Sequence, residues 1–187
     1  DDVTGESRTI FDSGDVIQVE PSDDGQLLSF LRRSTVQKSD TEWREQSAVW
    51  VVGLNGENPR ELVSADALRT LLGATETEST NIPEMAWIPG THRQLYNGWT
   101  YLVQAEGESH AVPRGLYSVE ADGGTQQVLV NADNDLRFVV SPDGQQVALL
   151  SPEALAFVGA EGSNLRPDVL TLAQVVVYGP LFPVGVS

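Results

Sequence analysis

The chain has 187 residues, 27 acidic side chains against 11 basic ones, a formal charge of −16, 17 glycines, 10 prolines and no cysteine. So negative a chain is unsuited to neutralising phosphates, which excludes nucleic acid as a partner, and without cysteine there is no disulfide framework, thiolate metal site or thiol nucleophile. An apolar fraction of 40% with four tryptophans marks a folded domain and argues against disorder.

From the N-terminus, Asp1-Asp2-Val3-Thr4 shows none of the basic and apolar regions of a signal peptide. Pro21-Ser22-Asp23-Asp24-Gly25 is a turn signal that feeds the apolar run Leu27-Leu28-Ser29-Phe30-Leu31. A second run, Ala48-Val49-Trp50-Val51-Val52-Gly53-Leu54, passes through Asn55-Gly56 into Arg60-Glu61-Leu62-Val63, a hairpin signal. The same order returns twice. Trp87-Ile88-Pro89-Gly90 leads to Leu95 and Tyr96, then Gly115-Leu116-Tyr117-Ser118-Val119 turns at Asp122-Gly123-Gly124 into Gln127-Val128-Leu129-Val130. Ser141-Pro142-Asp143-Gly144 leads to Val147-Ala148-Leu149-Leu150, then Ala154-Leu155-Ala156-Phe157-Val158 turns at Glu161-Gly162-Ser163 towards Leu165. Each unit reads as four antiparallel strands, A to D, with tight A–B and C–D turns. The apolar runs barely alternate, as expected of strands covered on both faces.

Four-stranded sheets stacked face to face around an axis satisfy this pattern. A β-sandwich accounts for many short strands but not for the recurring order. The Ser/Pro-Asp-Gly turn, the strand after it and the later Asp/Asn-Gly hairpin resemble the TolB-like, WD-repeat-like β-propeller repeat. The resemblance covers about three blades, residues 16–63, 84–130 and 136–170, and departs from the pattern at Ile88-Pro89-Gly90, which lacks the acidic residue. No Trp-Asp dipeptide occurs. The expected fold is all-β, a propeller of about three four-stranded blades in one domain, with partial blades at both ends. Residues 5–12 match a D strand and Val184-Gly185-Val186-Ser187 an A strand. The expectation is a piece of a longer propeller, completed by further sequence or by self-association; the alternative joins the two end strands into an incomplete fourth blade.

Antiparallel order places the B–C and D–A connections on one face, and here these are the long ones: residues 32–47, 64–83 and 99–114. Loops positioned by a rigid scaffold carry function, so this is the expected binding face. Residues 32–47 hold Arg32, Arg33, Lys38 and Arg44 together with Trp43. They form either a patch for an acidic or aromatic partner or a solvated hairpin whose arginines pair with Asp40, Glu42 and Glu45, the cheaper reading. Ser64 to Gly73 reads as a short capped helix with Leu68, Leu71 and Leu72 on one side, covering a blade. Trp99, Tyr101 and His110 lie on the third long connection, where stacking on a sugar or peptide is conceivable. Trp50, Trp87 and Tyr117 sit in expected strands and are assigned to packing between blades.

Chemistry is sparse. Gly107-Glu108-Ser109-His110-Ala111 resembles a nucleophile elbow, but Val112-Pro113-Arg114 leads into a strand and not a helix. His92 and His110 make no zinc pattern, and Asp23-Asp24 and Asp133-Asn134-Asp135 follow no calcium-loop register. No nucleotide fingerprint occurs, and no two carboxylates stand out as a glycosidase pair. No catalytic residue, metal or cofactor is therefore assigned. Residues 175–186, the longest apolar stretch, are broken by Gly179, Pro180, Pro183 and Gly185 and are too short for a membrane span. The function expected is a non-enzymatic binding or scaffold propeller, engaging a protein or polymer through the long-loop face. The alternative is a propeller that gates a prolyl-oligopeptidase-like peptidase whose catalytic domain is not in this chain. The TolB-like resemblance implies a bacterial, extracytoplasmic setting, periplasmic or at the cell surface.

Overall fold

The repeated turn is the smallest unit from which the architecture grows. In the computed structural model, which describes residues 7, 9–12, 14–40, 43–103 and 109–171, the Ser22 hydroxyl donates to Asp24 at 2.7 Å and accepts from the Leu27 amide at 3.0 Å. The Asp24 carboxylate accepts from the Gln26 amide at 3.0 Å. Ser141, Asp143, Gln145 and Gln146 repeat the arrangement at 2.6, 2.9 and 3.0 Å. Gly25 and Gly144 supply the left-handed backbone, with φ of 65° and 68°.

Each turn joins the first two strands of a sheet. The first sheet runs β1 (Val16–Pro21), β2 (Leu27–Gln37), β3 (Trp43–Gly53), β4 (Arg60–Val63) in spatial as in chain order. After it come the helix α1 (Ala65–Leu72) and a second sheet of β5 (Ser79–Asn81), β6 (Met85–Trp87), β7 (Arg93–Val103), β8 (Ser109–Glu120) and β9 (Gln127–Asn131). Here β6 pairs with the first half of β7, Met85 opposite Tyr96, and β5 with its far end, Ser79 opposite Tyr101. The third sheet is again consecutive: β10 (Arg137–Val140), β11 (Gln146–Leu150), β12 (Ala154–Gly159) and β13 (Arg166–Thr171). The protein is all-β apart from α1, and its antiparallel sheets, four-stranded on either side and with β5 and β6 sharing the first place in the middle one, are propeller blades. Residues 184–187, expected as a further strand, lie outside the described residues, as do 5, 6 and 8. Residues 9–12 are irregular and bring Phe11 onto Phe30 of the first blade, ring centroids 4.4 Å apart.

The middle blade is buried on both faces. Successive residues of a strand point to opposite sides, so Tyr96 and Tyr117 join a core with Leu31, Val49 and Val51 of the first blade. Their neighbours Leu95 and Leu116 join a second core with Phe138, Val147 and Leu149 of the third. All four middle-blade residues are 3% exposed or less. This is why the strands carry near-continuous apolar runs. Polar links reinforce the packing: the Trp87 indole donates to the Glu20 carbonyl at 2.9 Å, and Asn97 donates to the Leu136 carbonyl at 2.9 Å. Trp87 and Tyr117 thus pack between blades, whereas Trp50 lies on the outer face of the first blade beside Phe11. The helix α1 is capped by Ser64, whose side chain accepts from the Ala67 amide, and ends at the left-handed Gly73. It covers the middle blade, with Leu72 so close to Gly98 that a Cβ there would stand 2.5 Å from its side chain. Among the described residues no helix is long and apolar enough to cross a membrane.

Two outcomes test this architecture. Gly25→Ala and Gly144→Ala both impose a left-handed backbone on alanine, a cost of roughly 1–2 kcal/mol. At Gly144 the new Cβ would also sit 2.3 Å from the Pro89 carbonyl oxygen of the middle blade, whereas at Gly25 it meets open space. Urea denaturation should therefore show the larger loss for Gly144→Ala. The Asp24 carboxyl is held at about 2 against an ordinary 3.8, first by the Ser22 hydroxyl, then by the Gln26 amide and by His92, which lies 2.8 Å away across the blade junction. A lowered carboxyl contributes stability above its unfolded value and loses it as pH falls through the folded one. Asp24→Asn should be less stable than wild type near neutrality but should lose less on acidification from pH 3.8 to about 2, compared by urea midpoints.

Candidate functional site

Two hairpins outgrow their blades on the long-loop side. The β2–β3 ladder runs from Leu27 opposite Gly53 out to Gln37 opposite Trp43, and the β7–β8 ladder from Arg93 opposite Glu120 to Val103 opposite Ser109. What the sequence presents as loops are largely paired strands. The β4 strand pairs with β3 only between Val49 and Val51, so the outer part of β3 extends past it. There β5 comes alongside, the Glu45 amide donating to the Ser79 hydroxyl at 3.1 Å while β5 pairs with β7. This short strand ties the two hairpins together.

A cleft of about 440 Å³ lies between them, lined by Arg33 and Thr35 of β2, Trp43 and Glu45 of β3, Ser79 and Asn81 of β5, and Tyr101 of β7. Pairing of Thr35 with Glu45 and of Arg33 with Ser47, with the two-residue period of strands, puts the hairpin's contributors on one face. Asn81, 8% exposed, is the hub of the floor. Its Oδ1 accepts from Arg33 Nη2 at 2.8 Å and from the Ser47 hydroxyl at 3.2 Å, while its Nδ2 donates to the Tyr101 oxygen at 3.0 Å. The amide orientation follows from chemistry: a guanidinium can only donate, so the amide oxygen must face Arg33. Trp43 is 60% exposed, the one aromatic among the exposed large apolar side chains of the described residues.

Of the residues singled out in the sequence, Arg33, Trp43 and Tyr101 meet in this cleft, and Trp99 lies behind Tyr101 with ring centroids 6.3 Å apart. Arg32 belongs to the opposite face of the hairpin. It makes a two-pronged ion pair with Asp15 and lies 5.2 Å from the Trp50 ring. Lys38 and Arg44 reach Glu76, at 2.9 and 3.8 Å, and its carboxyl is lowered chiefly by the Lys38 hydrogen bond. His110 is exposed and pairs in register with residue 102, which puts it on the face of β7–β8 opposite Tyr101. The basic residues therefore do not form one patch. Their partners Asp15 and Glu76 are distant in sequence, where the local alternative named Asp40, Glu42 and Glu45; residue 42 lies outside the described residues. Thr35, Glu45, Ser79 and Asn81 were not marked by the sequence, and β5 is too short to announce itself by periodicity.

The nucleophile-elbow resemblance does not find its structural context. Ser109 opens β8, which continues as strand to Glu120, and residues 107 and 108 lie outside the described residues. No group of three or more metal-ligating side chains occurs among the described residues.

No family model matches the chain, and no curated protein matches it. Solved structures do. The β-propeller domain of the trilobed protease from Pyrococcus furiosus aligns with 80% of this chain and 41% of its own, at 9% identity and a TM-score of 0.47. Kuenenia stuttgartiensis hydrazine synthase aligns with 76% of this chain and 39% of its own, at 15% identity and a TM-score of 0.47. The tricorn protease aligns with 91% and 24%, at 11% identity and 0.36. The chain spans less than half the length of these solved chains.

If Asn81 organises the cleft, removing it strands its buried partners. Asn81→Ala should lower stability by about 1–3 kcal/mol in urea denaturation, the cost of unsatisfied buried polar groups. Trp43→Ala, at an exposed position, should change stability by no more than about 0.5 kcal/mol.

Proposed function

We propose that this chain is a non-enzymatic binding propeller in which the blades act as scaffold and the cleft between the β2–β3 and β7–β8 hairpins takes up a protein or polymer partner. The observation that carries the reading is Trp43, 60% exposed above a floor of polar side chains already fixed by Asn81. An aromatic ring offers large contact area at small entropic cost, and a preordered floor lowers the cost of binding. The strand context of Ser109 supports a role without covalent chemistry. The resemblance of the turn repeat to TolB-like blades supports a bacterial, extracytoplasmic setting. On the third blade, Val139 and Leu150 are 70% and 55% exposed, on the face turned away from the middle blade. This supports completion of the ring by further blades or by a second copy.

A photo-crosslinking amino acid tests the reading. Placed at position 43 in the native host's envelope, it should give a discrete adduct whose yield falls several-fold with Arg33→Ala. Placed at position 110, on the opposite hairpin face, it should give none. Adducts from 110 and not from 43 would move the binding surface elsewhere, and an adduct with a hydrolase domain would favour the gating role. Labelling of Ser109 by a fluorophosphonate would overturn the non-enzymatic part.

A further inference from the structure

We propose that the cleft is a subsite for neutral pyranose units of a glycan, with Trp43 as the stacking platform and Arg33, Glu45 and Tyr101 as hydroxyl ligands. This rests on the reading of the cleft as the binding surface and narrows it to one ligand class. Once its internal hydrogen bonds are made, the cleft still has donors and an acceptor to offer a ligand.

Because Arg33 can only donate, Asn81 turns its oxygen to Arg33 and its NH2 to Tyr101, and the phenol oxygen must accept. The Tyr101 O–H proton is therefore uncommitted within this network and is available as a donor. Arg33 spends one N–H of Nη2 on Asn81, its Nε is buried without a hydrogen-bond partner among the described residues, and the remaining Nη N–H groups are its donors for a ligand. Glu45 gives its backbone amide to Ser79, while no described side chain donates to its carboxylate. The cleft thus holds a charged acceptor and two kinds of donor around one exposed indole. A sugar hydroxyl both donates and accepts, and adjacent hydroxyls on a ring engage a carboxylate and a guanidinium together. The apolar C–H face of a pyranose fits against an aromatic ring.

Other ligand classes fit less well. Glu45 inside the cleft and a formal charge of −16 over the chain repel phosphate-rich and polyacidic partners. A peptide that anchors through apolar side chains wants a dry pocket, whereas Thr35, Ser79 and Asn81 make this wall and floor polar. The volume of about 440 Å³ falls within the roughly 300–1,000 Å³ usual for small-ligand sites and leaves the cleft open for a longer chain to continue.

The test is a titration of the full chain followed by NMR of the tryptophan indole N–H signals, with Trp43 assigned by its loss in Trp43→Phe. The probes are neutral gluco-, manno- and xylo-pentasaccharides, an oligogalacturonate, an acidic hexapeptide and an apolar hexapeptide. At least one neutral pentasaccharide should shift the Trp43 signal saturably. Arg33→Ala and Glu45→Gln should each weaken that binding about tenfold, and Trp43→Ala, which removes the signal and is therefore followed by isothermal titration calorimetry beside wild type, by about tenfold or more. His110→Ala should leave it unchanged. A Trp43 shift caused by a peptide or by the oligogalacturonate, with no response to any neutral sugar, overturns the glycan assignment while leaving the cleft as a binding surface. No response at Trp43 to any probe overturns both. Sugar binding that survives Trp43→Ala undiminished places the glycan site elsewhere and overturns the assignment too.

Discussion

Burial of the middle blade on both faces is the constraint on which the rest of the structure depends. A strand with one wet face can leave every second residue polar, whereas β7 and β8 must satisfy two cores at once. Leu95 and Leu116 face one neighbour, Tyr96 and Tyr117 the other. A one-residue slip of register would exchange the two sets, sending bulky tyrosines into the space shaped for leucines. The repeated Ser-x-Asp-Gly turns fix the β1–β2 and β10–β11 pairings of the two flanking blades. Gly98, which has no Cβ, leaves room for the Leu72 side chain of α1 against the blade.

The cleft is a by-product of the same rigidity. The outer ends of β2–β3 and β7–β8 run on past the residues of the two cores. They are tied instead by β5 and by the Asn81 network. Charge is distributed accordingly. Arg32, Lys38 and Arg44 are consumed by Asp15 and Glu76, and these surface pairs contribute little stability. Arg33, next to Arg32 in the chain, falls on the other face by strand alternation. It meets a neutral amide where its neighbour meets a carboxylate, which leaves donors for a ligand.

The blade order, the tight turns and the helix from Ser64 to Gly73 were legible in the residues, whereas residues 32–47 and 99–114, expected as loops, are largely paired strands of two extended hairpins. The legible features rest on local signals: glycine and aspartate turn chemistry, capping side chains and the period of apolar positions. The cleft was legible only in part. Arg33, Trp43 and Tyr101 were marked because of their residue types, but so were Arg32, Lys38, Arg44 and His110, which the structure sends to other faces. Nothing in Ser79-Thr80-Asn81 identifies three residues as a strand, because a segment that short has no measurable period and is made by its partner β7. Likewise, the strand position of Trp50 predicts packing between blades, whereas strand alternation puts its ring on the outer side with Phe11.

The sequence by itself determined that this is an acidic, cysteine-free, all-β chain of repeated four-stranded units. Those properties depend on composition and on interactions between residues near one another in the chain. Only the tertiary structure decided which arginine faces the cleft, that Asn81 is its hub and that Trp43 is the exposed aromatic ring. Those outcomes depend on hydrogen bonds between residues tens of positions apart, such as Arg33 with Asn81 and Asn81 with Tyr101. No local pattern encodes such pairings, because they exist only once both hairpins have been set in place by the cores beneath them.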